Sequence, residues 1–349
     1  MTDHPSNHAV SSRKHDHLRI IASDSGVERH TGGFDSLRLN HRAMPELDWD
    51  SVETHAQFLG KRLSFPLLIS SMTGGDGEHI YRINKNLAEA AEATGVAMAV
   101  GSQRVMFTNT QARASFELRE FAPETVLISN IGAVQLNTGI GLEECSEAVD
   151  VLDADGLYLH LNPLQEAVQP EGDRDFSGIA AAIAQLVPDM RVPVLLKEVG
   201  SGLSASDIRL GLAAGIRHFD VAGRGGTSWS RIEYHRREAA SDDLGLVFQD
   251  WGLTTVEALL AARPILESSK EHATLIASGG IRSGIDMAKS IILGADLCGL
   301  AAPFLSAAQI SRDAVIEKIQ QLHREFRTAM FLLGCSDCMA LKKNGRFLK

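Results

Sequence analysis

No run of about 18 apolar residues occurs in this sequence, so nothing in it reads as a membrane-spanning helix. The start is polar, rich in histidine and serine, and shows no signal-peptide pattern; a cytoplasmic protein is expected. A basic excess is also missing. With 34 Lys and Arg against 44 Asp and Glu, the formal net charge is −10, which argues against a general nucleic-acid binder but not against a local basic pocket. Cysteine is scarce. Of the 4, Cys145 and Cys298 lie in apolar surroundings and read as small core residues. Cys335 and Cys338 make one CxxC near the C-terminus without further zinc ligands close by, and reduced thiols are expected. AGRGG at 222–226 has the wrong spacing for a dinucleotide-binding turn and comes too late in the chain.

What is present is a large globular composition. The 349 residues, 44% of them hydrophobic and with 31 glycines, can form one big α/β barrel or two ordinary domains. From residue 66 onward, short continuous apolar runs alternate with helical spacing. PLLISSM (66–72), VAMAVGS (96–102), TVLISNIGA (125–133), GLYLHLN (156–162), VPVLLKEVG (192–200), IRHFDVAG (216–223), ATLIASGGI (273–281) and ADLCGLAA (295–302) are the predicted strands. Helices are predicted at 84–95, 142–152, 175–187, 204–215 with Ser204 as cap, 254–266, and 308–333 as one long element. Buried parallel strands with crossover helices have this pattern, and eight such units favour a closed (β/α)₈ TIM barrel. Residues 1–66 are then an N-terminal extension packing on a barrel at 67–349. The charged stretch 227–252 reads as a long, mobile insertion.

Loops after the strands of such a barrel share one face, where active sites sit. Here those positions are polar but for Met72: Ser70, Ser71, Met72 and Thr73; Ser102, Gln103 and Arg104; Asn130; His160, Asn162, Gln165 and Glu166; Lys197 and Glu198. Pro163 does not fit a central strand and biases Asn162 away from helical geometry, so HLNPLQE (160–166) is expected to be a loop. Glycine-rich turns at AGRGGTSW (222–229) and GGIRSG (279–284) let backbone N–H groups converge on an anion, the second leading into a helix N-terminus. Lys197 ends an apolar strand. It either turns to solvent, meets an anion or polar cofactor, or serves as a Schiff-base lysine. Arg13, Lys14 and His17 fall in one short segment that is either a solvated terminus or part of a diphosphate pocket.

RKHDH (13–17), SSMTGG (70–75), GSQR (101–104), HLNPLQE, KEVG (197–200), AGRGGTSW and GGIRSGID (279–286) occur in this order over nearly the whole chain. Together they resemble the type 2 isopentenyl-diphosphate delta-isomerases. The resemblance implies a flavin-dependent barrel enzyme that interconverts isopentenyl and dimethylallyl diphosphate, using reduced FMN, Mg²⁺ and NADPH as reductant. FMN would contact Ser71, Met72, Thr73, Ser102, Asn130, Lys197 and Thr227, with its phosphate at Gly280, Ile281, Arg282, Ala301 and Ala302. The diphosphate would meet Arg13, Lys14, Ser102, Gln103, Arg104, His160, Asn162 and Gln165, and Glu166 would hold Mg²⁺. Gln165, His160 and Lys197 become the catalytic candidates, and a homotetramer or homo-octamer is implied. Ala222 departs from the family, in which serine is common there. Rival readings are an FMN-dependent hydroxyacid oxidase or dehydrogenase and a non-catalytic flavin-binding protein. An IMP-dehydrogenase-like enzyme lacks its nucleophilic cysteine in AGRGGTSW.

Overall fold

A computed structural model describes residues 17, 19–21, 23–72, 74–75, 77–236 and 242–343. Eight parallel strands close into a barrel in the order β10-β3-β4-β5-β6-β7-β8-β9. They are β3 (Leu67–Ile69), β4 (Ala97–Ala99), β5 (Leu127–Gly132), β6 (Gly156–Leu161), β7 (Val194–Glu198), β8 (His218–Asp220), β9 (Thr274–Ser278) and β10 (Leu297–Leu300). All eight lie inside the segments predicted from the sequence. A hairpin of β1 (Ala56–Phe58) and β2 (Lys61–Leu63) precedes them and puts Phe58 and Leu63 against the apolar end of the barrel interior. The hairpin therefore sits at the end opposite the strand C-termini.

The helices are α1 (Glu78–Thr94), α2 (Leu142–Leu152), α3 (Pro163–Val168), α4 (Ile179–Leu186), α5 (Ala205–Ala213) and α6 (Trp229–His235), followed by α7 (Leu244–Val247), α8 (Thr255–Glu267), α9 (Gly284–Ile292), α10 (Ala302–Ile310), α11 (Arg312–Leu333) and α12 (Cys338–Lys342). Two sequence expectations need correction. HLNPLQE is not a loop, because His160 and Leu161 finish β6 and Pro163 opens α3. Proline is tolerated at the first helical position, where its missing N–H has no intrahelical partner anyway. The long C-terminal helix is two: Ser311 is extended (φ −167°, ψ 166°) and its hydroxyl caps α11 by accepting from Ala314 N. In the insertion, α6 and α7 are ordinary helices, joined to the extension by Arg231–Asp24 and Arg29–Asp250 ion pairs.

Cys145 and Cys298 are fully buried, as expected of core residues. Burial pushes the Cys338 thiol up to about 12, and it donates to Thr54 O, so it is a poor nucleophile. Among the described residues no helix is long and apolar enough to cross a membrane.

Candidate active site

Period-two alternation builds the floor of the barrel mouth. Leu68, Ile128, Tyr158, Leu195, Ile276 and Leu297 belong to the inner apolar cluster beneath it. Two residues further along each strand, on the same face, stand Ser70, Asn130, His160, Lys197, Ser278 and Gly299. The interior thus turns from apolar to polar within one layer, just where the strands end. Above this layer lies a cleft, open to solvent, lined by residues from the ends of all eight strands.

Lys197 is 6% exposed, and its Nζ lies 3.3 Å from Oδ2 of Asp220, itself fully buried. Tyr158 donates to the same oxygen at 3.1 Å, while Ser278 Oγ and the Ala222 N–H donate to Oδ1. Burial, followed by the Asp220 charge, raises the Tyr158 pKa well above its ordinary value, so the phenol keeps its proton. Of the alternatives left open for Lys197, the structure excludes a side chain turned to solvent. Next to it, His160 Nδ1 meets Asn130 Oδ1 at 2.7 Å, and Asn130 donates to Ser71 Oγ at 2.8 Å. This chain of contacts links β6, β5 and the loop after β3.

On the opposite wall is a cradle of bare backbone. Gly279 and Gly280 have φ of 102° and 75°. A Cβ on Gly279 would fall 2.0 Å from Gly223 O, and one on Gly280 2.6 Å from Gly225 O. Only glycine leaves room for this approach of two turns. Ile281, Arg282, Ala301 and Ala302 complete that side of the cleft, with the N-termini of α9 and α10 close behind. Glu28 of the extension reaches the same place. It accepts from Thr227 Oγ1 at 2.7 Å and pairs with Arg282. The Thr227 hydroxyl proton is therefore spent, and Arg282 is already neutralised, which leaves backbone N–H groups as the main anion donors. An FMN-sized group with a phosphate fits these residues: a buried cation at one side, a Cβ-free cradle at the other.

The roof comes from the insertion and the extension. Gln165, at the start of α3, donates to Glu233 Oε1 at 2.9 Å. His17 lies 3.3 Å from the same oxygen, and Arg236 pairs with Oε2. Burial alone would raise the Glu233 pKa, but these partners pull it down to about 2. His17 also packs edge-on against Trp229, with ring centroids 5.2 Å apart, and both line the cleft.

The site residues expected from sequence fall into three groups. Ser71, Met72, Ser102, Asn130, His160 and Gln165 line the cleft with Lys197, Thr227 and the glycine-cradle residues. Gln103, Arg104, Asn162 and Glu166 stand behind its wall and are held by other protein groups. Gln103 is fully buried, donating to Ala148 O and accepting from Asn130 N and Ser129 Oγ, so it is placed to shape the wall rather than to touch a ligand. Arg104 pairs with Asp173 at 2.6 Å; Glu166 accepts from Asn162 Nδ2 and Asp173 N, each at 2.8 Å. Arg13, Lys14 and Thr73 lie outside the described residues. Sequence reasoning missed Asp220, Glu233, Asp173 and Glu28. Among the described residues no three His, Cys, Asp or Glu could hold a metal ion together. Glu166 fits Mg²⁺ only as one carboxylate beside phosphate oxygens and water, a common arrangement for that ion.

Residues 163–346, more than half of the chain, match the family model described as FMN-dependent dehydrogenase. Across its full length the chain is 65% identical to the isopentenyl-diphosphate delta-isomerase of Paracoccus zeaxanthinifaciens, covering 100% of both. The enzyme of the same name from Hydrogenovibrio crunogenus is 56% identical over 96% of this chain and 95% of the relative. Among solved structures, a flavocytochrome b2 variant with sulfite bound superposes with TM-score 0.69 at 19% identity, covering 96% of this chain and 82% of the other. A mandelate oxidase mutant gives TM-score 0.65 at 17% identity and 98% coverage of both chains. At that identity the structural matches establish the barrel alone.

Proposed function

The chain belongs to the FMN-dependent, type 2 isopentenyl-diphosphate delta-isomerases, and on that premise we propose that it moves a proton across the allylic unit of isopentenyl diphosphate to give dimethylallyl diphosphate, reversibly. When bound in its reduced form, FMN supplies the acid/base function, with no net redox change; NADPH serves only to keep it reduced. The observation that carries the reading is the cleft, lined from all eight strand ends, into which Ser70, Ser102, Asn130, His160, Lys197 and Ser278 bring their polar groups.

Each part of the chain has a separable task. Lys197 would present an ammonium to the N1–O2 edge of a bound flavin, where negative charge needs a fixed partner. Asn130 and Ser71, hydrogen-bonded to each other, would contact the flavin, and Asn130 orients His160. Backbone N–H groups at Gly280, Ile281 and Ala302 receive the cofactor phosphate. Gln165 positions the alkene end of the substrate and is itself fixed by Glu233. Trp229 and Ile21 make that end of the cleft apolar, so that an unactivated alkene meets its proton donor away from water. Arg13, Lys14, Ser102, His160 and the Arg104–Asn162 group anchor the diphosphate. Glu166 holds Mg²⁺ once the substrate brings its phosphate oxygens. For Arg104, Asn162 and Glu166 this requires exchanging some present contacts for substrate.

A hydroxyacid dehydrogenase would need a free histidine base over the flavin and an arginine clamp for a carboxylate. Here His160 is tied to Asn130, and Arg282 to Glu28. The deciding assay is anaerobic, with reduced FMN and Mg²⁺, following interconversion of the two diphosphates. Turnover without stoichiometric NADPH loss is expected; stoichiometric consumption would overturn the isomerase reading.

A further inference from the structure

We propose that Asp220 is a positioning residue that sets the direction and the effective charge of Lys197 toward the flavin. This rests on the placement of Lys197 at the flavin's N1–O2 edge. Asp220 does not line the cleft and belongs to none of the motifs that carried the resemblance. It is nonetheless fully buried, and four donors converge on it: Lys197, Tyr158, Ser278 and the Ala222 N–H. A carboxylate has about four acceptor positions, so this one is saturated. The register explains the convergence. Lys197 is the direct cross-strand partner of Asp220, and Tyr158 is paired with Leu195 on the next strand.

The electrostatic consequence is specific. An ammonium on a dry barrel floor without a counter-ion either gives up its proton or swings toward water. With Asp220 beside it, the pair is neutral overall, and one of the three ammonium donors is committed. The remaining donors face the cleft with a charge partly offset by the carboxylate. Tyr158 and Ser278 dilute that offset by sharing the carboxylate. The Asp220 layer thus holds the affinity of the ring for negative charge at an intermediate setting. Ala222 shows how firmly the turn is fixed. Its φ is +37°, an unusual value for a residue with a Cβ, and its N–H is one of the four donors.

The test uses the FMN-loaded enzyme and sulfite, whose sulfur adds to N5 and leaves negative charge on the N1–O2 edge. Asp220→Asn removes the counter-charge at nearly constant shape. Its sulfite Kd should fall at least tenfold, with a rise of about 30 mV or more in the two-electron potential, the equivalent of that factor. Lys197→Gln should move both readings the opposite way. An unchanged or weakened sulfite affinity in Asp220→Asn, with Lys197→Gln responding as stated, overturns the role of Asp220 and leaves the Lys197 assignment standing. If neither variant responds, the Lys197 assignment fails and the proposal with it. Should Asp220→Asn lose its flavin, Tyr158→Phe carries the test. Removing that donor leaves the carboxylate more available to Lys197, so sulfite should bind severalfold more weakly; unchanged or tighter binding overturns the proposal.

Discussion

Glu198 and Glu233 are both buried close to the same cleft, yet their surroundings push their pKa values in opposite directions. Burial pushes Glu198 from 4.5 up to about 7, although the backbone N–H groups of residues 199, 200, 201 and 202 all point at one of its oxygens. Burial works on Glu233 in the same sense, but His17, Arg236 and Gln165 bring it down to about 2. The difference lies in the partners. Backbone dipoles at a strand end carry partial charge and offset desolvation only in part, whereas cations outweigh it. At Glu198 the barrel supplies only its own backbone as partner. The roof is an electrostatic knot between the extension, α3 and the insertion.

Cutting that knot has the largest expected effect. Glu233→Ala takes from Arg236 one of its two carboxylate partners, leaving Glu171, removes the carboxylate that faces His17, and releases Gln165. We expect at least a hundredfold loss of isomerisation and on the order of 3 kcal/mol of stability, as for other broken buried pairs. The pH dependence follows from the lowered pKa: the contribution is complete above about pH 4.5 and disappears as pH falls toward 2. Urea titrations of wild type and variant should converge across that window. A variant as stable as wild type at neutral pH would show that the cations find other anions and that the contrast with Glu198 is illusory.

Glu198 should behave with the opposite sign. Its folded pKa is raised, so its contribution is present below about pH 4.5 and is lost as pH rises through 7. A shift of this size corresponds to roughly 3 kcal/mol across the window. Glu198→Gln should flatten that part of the stability profile while keeping the oxygen that the four N–H groups use. A wild-type minus variant difference that is equal at pH 5 and pH 7.5 would mean that the backbone alone keeps the carboxylate ionised. The line between partial and formal charges would then have to be redrawn.

Glu166 tests a third situation, a buried carboxylate that accepts from Asn162 and the Asp173 N–H and is proposed to hold a metal. Glu166→Gln should raise the Mg²⁺ concentration for half-maximal rate about tenfold, a change of about 1.4 kcal/mol, and leave FMN bound. Flavin loss, read from the visible spectrum, would show that the residue supports the fold of the mouth instead.

The floor was far more legible in the sequence than the roof. Barrel strands announce themselves by short apolar runs, and a lysine closing one of them, in VLLK, is conspicuous. Asp220 could have been found the same way, since HFD closes the next strand with an acid two residues beyond His218 on the same face. Pro163 misled because its two structural preferences, breaking a strand and opening a helix, share one residue type. Glu233 stands among the charges of IEYHRREAASDD, and nothing local separates it from its neighbours. Its partner Gln165 is 68 residues away, and Glu28 meets Thr227 and Arg282 across 199 and 254 residues. Pairings over such distances depend on how the barrel closes, which local periodicity does not encode.

The smallest expected effect sharpens the comparison from the other side. Asp250 receives two hydrogen bonds from one guanidinium, Arg29 Nε at 2.9 Å and Nη2 at 2.6 Å, a better fork than any at Glu233. Its side chain is 46% exposed, however, and water competes for both partners. If pairing with a cation were sufficient, Asp250→Asn would rival Glu233→Ala. Because the pair loses little by being separated in solvent, the change should stay within about 0.5 kcal/mol and shrink further in high salt. A loss above 2 kcal/mol, insensitive to salt, would mean that the extension is anchored to the insertion here rather than at Glu233. Burial, and not the number of hydrogen bonds, is then what separates a knot in the roof from a contact on its surface.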